Sequence, residues 1–294
     1  MNTLTRIPAW LGKKILLLPT LLVLLVLPAP TMGAAPEFFV FDNGVGRGSW
    51  TPEQQAKTLK ELGFDGISYN YTQPELLAAQ QKAFQEQGLK IYALYIYTYL
   101  DKPEPFPAHF KEAIKLLKGT GTVIWMTLRE TAVKGDYDAQ AVRNVQEMAD
   151  LAAEQGVRVA VYGHVGMYVE TGADAARIVK LAGRTNAFAS INLCHEFLSG
   201  KGANLDATLK VAAPISILAS INGADVAGKK YILRLDEGDF DVVTYLNKLF
   251  AAGYTGPVGL QCYSVKGDVT ENLKADIAAW KKMLPRIQKP DARP

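Results

Sequence analysis

What most constrains this chain is a rhythm. Eight apolar runs, "EFFVFD", "FDGISYN", "LKIYALYIYTYL", "TVIWMTL", "VRVAVYGH", "NAFASINL", "ISILASIN" and "GPVGLQCY", alternate with segments of helical periodicity such as "PEQQAKTLKELG", "AVRNVQEMADLAAEQG", "GADAARIVKLAG" and "DVVTYLNKLFAAG". Runs rich in β-branched and aromatic residues, bounded by turn signals, read as buried strands. Apolar residues at i, i+3 and i+4 read as helices packed along one face. Thr51 before Pro52 marks a helix start, and Gly63, Gly88, Gly156, Gly183 and Gly253 sit where helices stop. A helix after every strand forces parallel pairing. Eight such units without a composition shift or long linker predict an α/β fold, a single (β/α)8 TIM barrel over residues 36–286. The competing architecture is an open doubly wound sheet, and its one hook is "GVGRGS" after the first strand. Ser49 occupies the third glycine position of the dinucleotide fingerprint, and no acidic residue ends the second strand near Asn70. The segment therefore reads as a flexible loop.

The ends of the chain read differently. Arg6, Lys13 and Lys14 precede an apolar run from Ile15 to Leu27, and the small residues Gly33, Ala34 and Ala35 follow. This is the order of a secretory signal peptide over residues 1–35, which predicts a periplasmic or secreted protein with no stable membrane span after processing. An uncleaved N-terminal anchor is the alternative. Residues 287–294, which close on "KPDARP", read as a frayed tail. Of 32 basic and 29 acidic side chains, three basic ones lie in the leader, so the processed chain is neutral. It has no basic stripe interleaved with aromatics, which argues against a nucleic-acid partner and for a neutral small molecule. Cys194 and Cys262 fall near the ends of strands kept one strand apart, roughly 10 Å at sheet spacing, and read as packing residues rather than a disulfide.

In a barrel, chemistry sits on the loops after the strands and on the last inward-facing side chains. Alternation puts Tyr162 with His164, Ser190 with Asn192, Ser220 with Asn222, and Gln261 with Tyr263 on single faces of the last four strands. One or two of Tyr95, Tyr97 and Tyr99 join them at the mouth. Such a lining is polar and almost uncharged. It suits a hydroxyl-rich ligand such as a carbohydrate or polyol, the alternative being a hydrogen-bonded, water-filled barrel mouth. His109 reads as a surface residue.

"VRVAVYGH", "INLCH", "LASINGAD", "GPVGLQCY" and the closing "KGDVTENLKADIAAWKKM" resemble the second half of the xylose isomerase-like TIM barrel superfamily, which includes sugar phosphate isomerases and epimerases. Metal-dependent members present glutamate, aspartate, histidine and glutamate on the fifth to eighth strands. The matching positions here are Tyr162, Asn192, Ser220 and Gln261. The resemblance therefore implies a member whose usual metal ligands are replaced, with no metal and no cofactor, because a divalent ion needs carboxylates to bind it and to balance its charge. A zinc site from His164, His195 and Glu130 is the alternative. His164 and His195 match histidines of the family that act around the substrate.

Proton transfer beside a carbonyl needs a base and a stabiliser of the oxyanion. His164 or His195 is the expected base, Glu130 its partner or substitute, and Arg129 the group that steadies negative charge. Tyr162, Asn192, Ser220, Asn222 and Gln261 are the expected substrate contacts. The expected function is that of an exported isomerase- or epimerase-like protein acting on a neutral sugar or polyol by metal-independent acid/base chemistry. A non-catalytic carbohydrate-binding relative is the other reading. No facing pair of carboxylates, as glycosidases need, is visible.

Overall fold

The computed structural model describes residues 34–130 and 135–290, so the leader lies outside the described residues except for its last two positions. In chain order the elements are β1 Phe38–Phe41, α1 Pro52–Leu62, β2 Gly66–Asn70, α2 Pro74–Glu86, β3 Lys90–Tyr99, α3 Phe110–Leu116, β4 Val123–Arg129, α4 Asp138–Ala153, β5 Val159–Val161, α5 Gly172–Ala182 and β6 Ala187–Asn192. Then follow α6 Leu193–Leu198, α7 Leu205–Ala212, β7 Ser216–Ile221, β8 Gly223–Asp225, β9 Lys230–Leu233, α8 Val242–Ala251, β10 Val258–Leu260 and α9 Val269–Met283. Eight strands close into a barrel in the order β1-β10-β7-β6-β5-β4-β3-β2. Every pairing in it is parallel. The expected (β/α)8 barrel is what forms, and the open sheet is excluded.

Local chemistry sets the helix limits. Thr51 and Gln54 cap α1 reciprocally with Pro52 in its first turn, and Gly63 ends it at φ 91°. Thr171 and Asp174 cap α5 in the same way, which fixes the chain leaving β5. One apolar core fills the space between barrel and helices, where Phe38 stacks on Trp280 at 4.1 Å. A second core fills the barrel itself. There Phe39 stacks on Tyr92 at 4.7 Å, and Trp125 meets Phe41 at 5.2 Å and Tyr162 at 4.6 Å, both edge-on. Aromatic rings of this size fit because β10 contributes Gly259, where a Cβ would stand 2.6 Å from the Phe39 ring.

Two departures from the sequence reading shape the site. The run "NAFASINL" ends as a strand one residue early: β6 stops at Asn192 and the short helix α6 starts at Leu193, burying Cys194, His195 and Glu196. After β7 the chain makes the antiparallel β8–β9 hairpin before α8, an addition that the strand–helix rhythm does not anticipate. The "GVGRGS" segment is a loop of tight turns rather than part of a strand or helix. Part of the tail expected to fray is packed instead: Ile287 is buried and the Gln288 amide donates to Asn247 at 2.7 Å. Cys194 and Cys262 are both free and buried. Among the described residues no helix is long and apolar enough to cross a membrane.

Candidate active site

The C-terminal mouth of the barrel opens into a cavity of about 520 Å³. Its floor is aromatic, built from Trp125, Tyr95 and Tyr162, and Tyr162 meets Tyr95 edge-on at 5.0 Å. His164, His195, Arg129, Gln261, Tyr97 and Tyr263 also line it, together with Asp42, Asn43 and Arg47 from the first loop and Ser68 and Asn70 from β2. The hairpin adds Ile232.

Among the expected site residues, His164, His195, Arg129, Tyr162 and Gln261 come together on this wall. Asn192, Ser220 and Asn222 do not reach it, although strand parity placed their faces correctly. Asn192 donates to the Gly163 carbonyl at 3.3 Å and accepts from Ser220 Oγ at 3.0 Å, so the two side chains satisfy each other behind the wall. Asn222 donates to the carbonyls of Gly223 at 2.8 Å and Tyr231 at 2.6 Å, which anchors the hairpin. All three are at most 1% exposed. Buried amides and hydroxyls need partners: Asn192 and Ser220 find theirs within the fold, and so does the amino group of Asn222, whose Oδ1 is left without a donor. Glu130, after β4, is not among the lining side chains. Tyr95 and Tyr97 reach the mouth and Tyr99 does not. His109 is exposed, with Nε2 3.2 Å from the Thr72 carbonyl.

The two imidazoles lie 4.1 Å apart between ring centroids. Nδ1 of His164 is 2.7 Å from the Val165 carbonyl, which only accepts, so Nδ1 carries the proton and the neutral ring keeps its lone pair on Nε2. Burial lowers the His164 pKa, and Arg129 lowers it further against the raising effect of the Val165 bond. Burial, reinforced by His164, lowers the His195 pKa to about 3. Both rings are neutral near pH 7. The Val165 amide donates to His195 Nδ1 at 3.5 Å, which puts the His195 proton on Nε2, 3.2 Å from the Tyr162 hydroxyl. Gln261 Oε1 is taken by Asn43 at 2.6 Å and by the Tyr263 amide at 3.0 Å. Tyr162 thus accepts from His195 and keeps its own proton to give. Burial raises its pKa well above the usual range and holds the phenol neutral.

Three wall residues carried no signal in the sequence. Asp42, Asn43 and Arg47 come from the loop after β1, in and beside the glycine-rich stretch, and Asp42 pairs with Arg47. Only barrel closure brings that loop opposite His164.

Residues 56–283 match the family of xylose isomerase-like TIM barrels. The chain belongs to that family. Its barrel is similar to 3-keto-D-glucoside 4-epimerase from E. coli, with a TM-score of 0.68 and 15% identity over 84% of this chain and 99% of that one. It is also similar to D-allulose 3-epimerase from Methylomonas sp., with a TM-score of 0.67 and 16% identity over 86% and 99%. A xylose isomerase-like TIM barrel/4-hydroxyphenylpyruvate dioxygenase fusion protein gives a TM-score of 0.66 and 16% identity over 85% of this chain, which spans 43% of the fusion. At such identities the likeness carries the fold. No curated protein sequence matches significantly.

A divalent ion, which this xylose isomerase-like fold implies, does not fit the residues present. Tyr162 is held protonated, Asn192 and Ser220 are spent on each other, and Gln261 Oε1 already accepts two hydrogen bonds. None of them brings negative charge. The zinc alternative fails as well, because no three His, Cys, Asp or Glu side chains gather as donors among the described residues.

Proposed function

We propose that this chain is an exported, sugar isomerase- or epimerase-like protein that moves a proton beside a carbonyl using side chains alone. One observation carries the reading: in the cavity His164 is neutral, with Nδ1–H given to a backbone carbonyl and Nε2 left to accept a proton. In this scheme Nε2 takes the proton from the carbon next to the carbonyl, and the Tyr162 hydroxyl donates to the oxygen as charge develops there. His195 orients Tyr162, and Arg129 supplies positive potential. Returning the proton to the former carbonyl carbon isomerises the sugar: the adjacent hydroxyl gives up its proton, which reprotonates Tyr162, and the former carbonyl oxygen keeps the proton that Tyr162 donated. Returning it to the original carbon on the opposite face, after the bound enediol turns over, epimerises the sugar. Sugar epimerases among proteins of the same fold support the substrate class.

The test is solvent deuterium incorporation into a panel of aldoses and ketoses, followed by proton NMR, with His164→Ala as control. Exchange that requires His164 supports the reading, and no exchange with any sugar that binds refutes it. A second reading, a non-catalytic carbohydrate-binding relative, is favoured by one observation. Tyr162 is packed into the aromatic plug of the barrel, as a purely structural residue would be. Sugar binding without exchange selects that reading. Export rests on the leader-like residues 1–35.

A further inference from the structure

The charge that a ligand meets is set by the cavity wall, and the wall is not neutral although the processed chain is. Two guanidinium groups, Arg47 and Arg129, and one carboxylate, Asp42, line the cavity. Arg47 is neutralised by Asp42, whose other oxygen accepts the Asn70 amide at 3.1 Å. Arg129 has no ion-pair partner among the described residues. Its guanidinium carbon lies 5.2 Å from the centroid of Tyr97 and 5.5 Å from that of Tyr99, and its Nε is buried without a hydrogen-bond partner. The two histidines add no charge, being neutral. One positive charge is left over.

Arginine cannot shed its proton to escape burial, so a half-buried guanidinium held between aromatic faces calls for an anion. On the opposite wall, Oδ1 of Asn43 is buried and has no donor, while Ser68 and Asn70 also line the cavity. These are sites for hydroxyl groups. Resting on the sugar reading above, we infer that the substrate is an acidic sugar, a hydroxylated ring or chain bearing one carboxylate, which pairs with Arg129 while its hydroxyls meet Asn43, Ser68 and Asn70. A carboxylate matches the single spare charge. A phosphate dianion would bring a second negative charge into a cavity whose only other guanidinium is already paired.

The experiment is calorimetric titration of the processed chain with D-glucuronate, D-galacturonate and D-gluconate. Each is set against its neutral counterpart, D-glucose, D-galactose or D-glucitol, with D-glucose 6-phosphate as the phosphate arm. At least one acid should bind about ten-fold or more tightly than its neutral counterpart, a gap equivalent to about 1.4 kcal/mol. The gap should close in Arg129→Gln, remain in part in Arg129→Lys, and narrow as salt is raised. Three outcomes overturn the inference: no acid preferred over its neutral counterpart, glucose 6-phosphate preferred over every acid, or a preference that survives Arg129→Gln. The preference is read without turnover. An acid that binds through Arg129 but exchanges no proton therefore sinks the catalytic reading and leaves this one standing, whereas exchange on neutral sugars alone does the reverse.

Discussion

His164 and His195 are the same side chain in two different jobs, and their neighbours make the difference. His164 keeps a lone pair facing the cavity; His195 spends both nitrogens, on the Val165 amide and on Tyr162. His164→Ala should lower proton exchange by about 10²- to 10⁴-fold, the usual worth of a positioned base. His195→Ala should act through Tyr162 and lower kcat while leaving sugar affinity nearly unchanged in titration. Because burial lowers the His164 pKa below its ordinary value, the base form persists at pH 6.5, and the rate should fall only as acid titrates the ring at lower pH. A pH–rate profile with its acidic limb at or above 6.5 would contradict that assignment. Beside His195, Glu196 is fully buried, and burial pushes its pKa up to about 7, against hydrogen bonds from the Gly172 amide and Thr208 that pull it down. A carboxyl whose folded pKa is raised favours the folded state fully below its unfolded value near 4.5, and that contribution is lost as pH rises through about 7. Denaturant unfolding should therefore show the parent losing stability between pH 5 and 7.5 relative to Glu196→Gln, on the order of 3 kcal/mol across the range.

At the scale of elements, two insertions turn a generic barrel into this site. Helix α6 begins directly at the end of β6 and so carries His195 back over the barrel axis toward Tyr162. The β8–β9 hairpin brings Ile232 to the cavity and is tied down at two points, by Asn222 to the Tyr231 carbonyl and by Asp276 to the Leu235 amide at 2.6 Å. Gly223 is required at the first turn of this path, since a Cβ there would stand 1.9 Å from the Arg234 carbonyl. Asn222→Ala should leave two carbonyls unsatisfied at a cost of about 1–3 kcal/mol. Hydrogen exchange should then quicken across residues 223–235 more than in the barrel strands. Equal protection of the hairpin in variant and parent would show that Asn222 does not anchor it.

For the whole molecule, the proposed function makes side chains alone, set around a plug of aromatic rings, the organisers of the barrel mouth. Dialysis against a strong chelator should leave both sugar binding and proton exchange intact, and Mn or Zn should not raise Tm by more than a degree or so, since each increment of binding to the folded state would do so. A chelator-sensitive activity would refute metal-independent proton transfer. Expression of the full chain in a bacterium should yield an exported product beginning near residues 34–36. Mass spectrometry finding intact Met1 on soluble protein would refute the leader.

The fold was legible because it rests on local periodicity. Strand runs, helix repeats and their glycine stops each report a nearby physical requirement, and a closed parallel barrel is the arrangement that buries all eight runs between helices. Strand parity likewise put Tyr162, His164 and Gln261 on the correct faces. Facing inward and being accessible are different properties, and that difference is why Asn192, Ser220 and Asn222 were assigned to substrate while the fold uses them for itself. Asp42, Asn43 and Arg47 were illegible for the opposite reason. They sit more than 100 residues from His164 in the chain, and only barrel closure sets them across the same cavity. The sequence by itself determined the barrel and the order of its strand–helix units, since those follow from hydrophobic pattern and turn chemistry. Tertiary structure alone decided which polar groups are spent on one another, which tautomer each histidine holds and where one positive charge is left unpaired, because each depends on contacts between elements that the chain order keeps far apart.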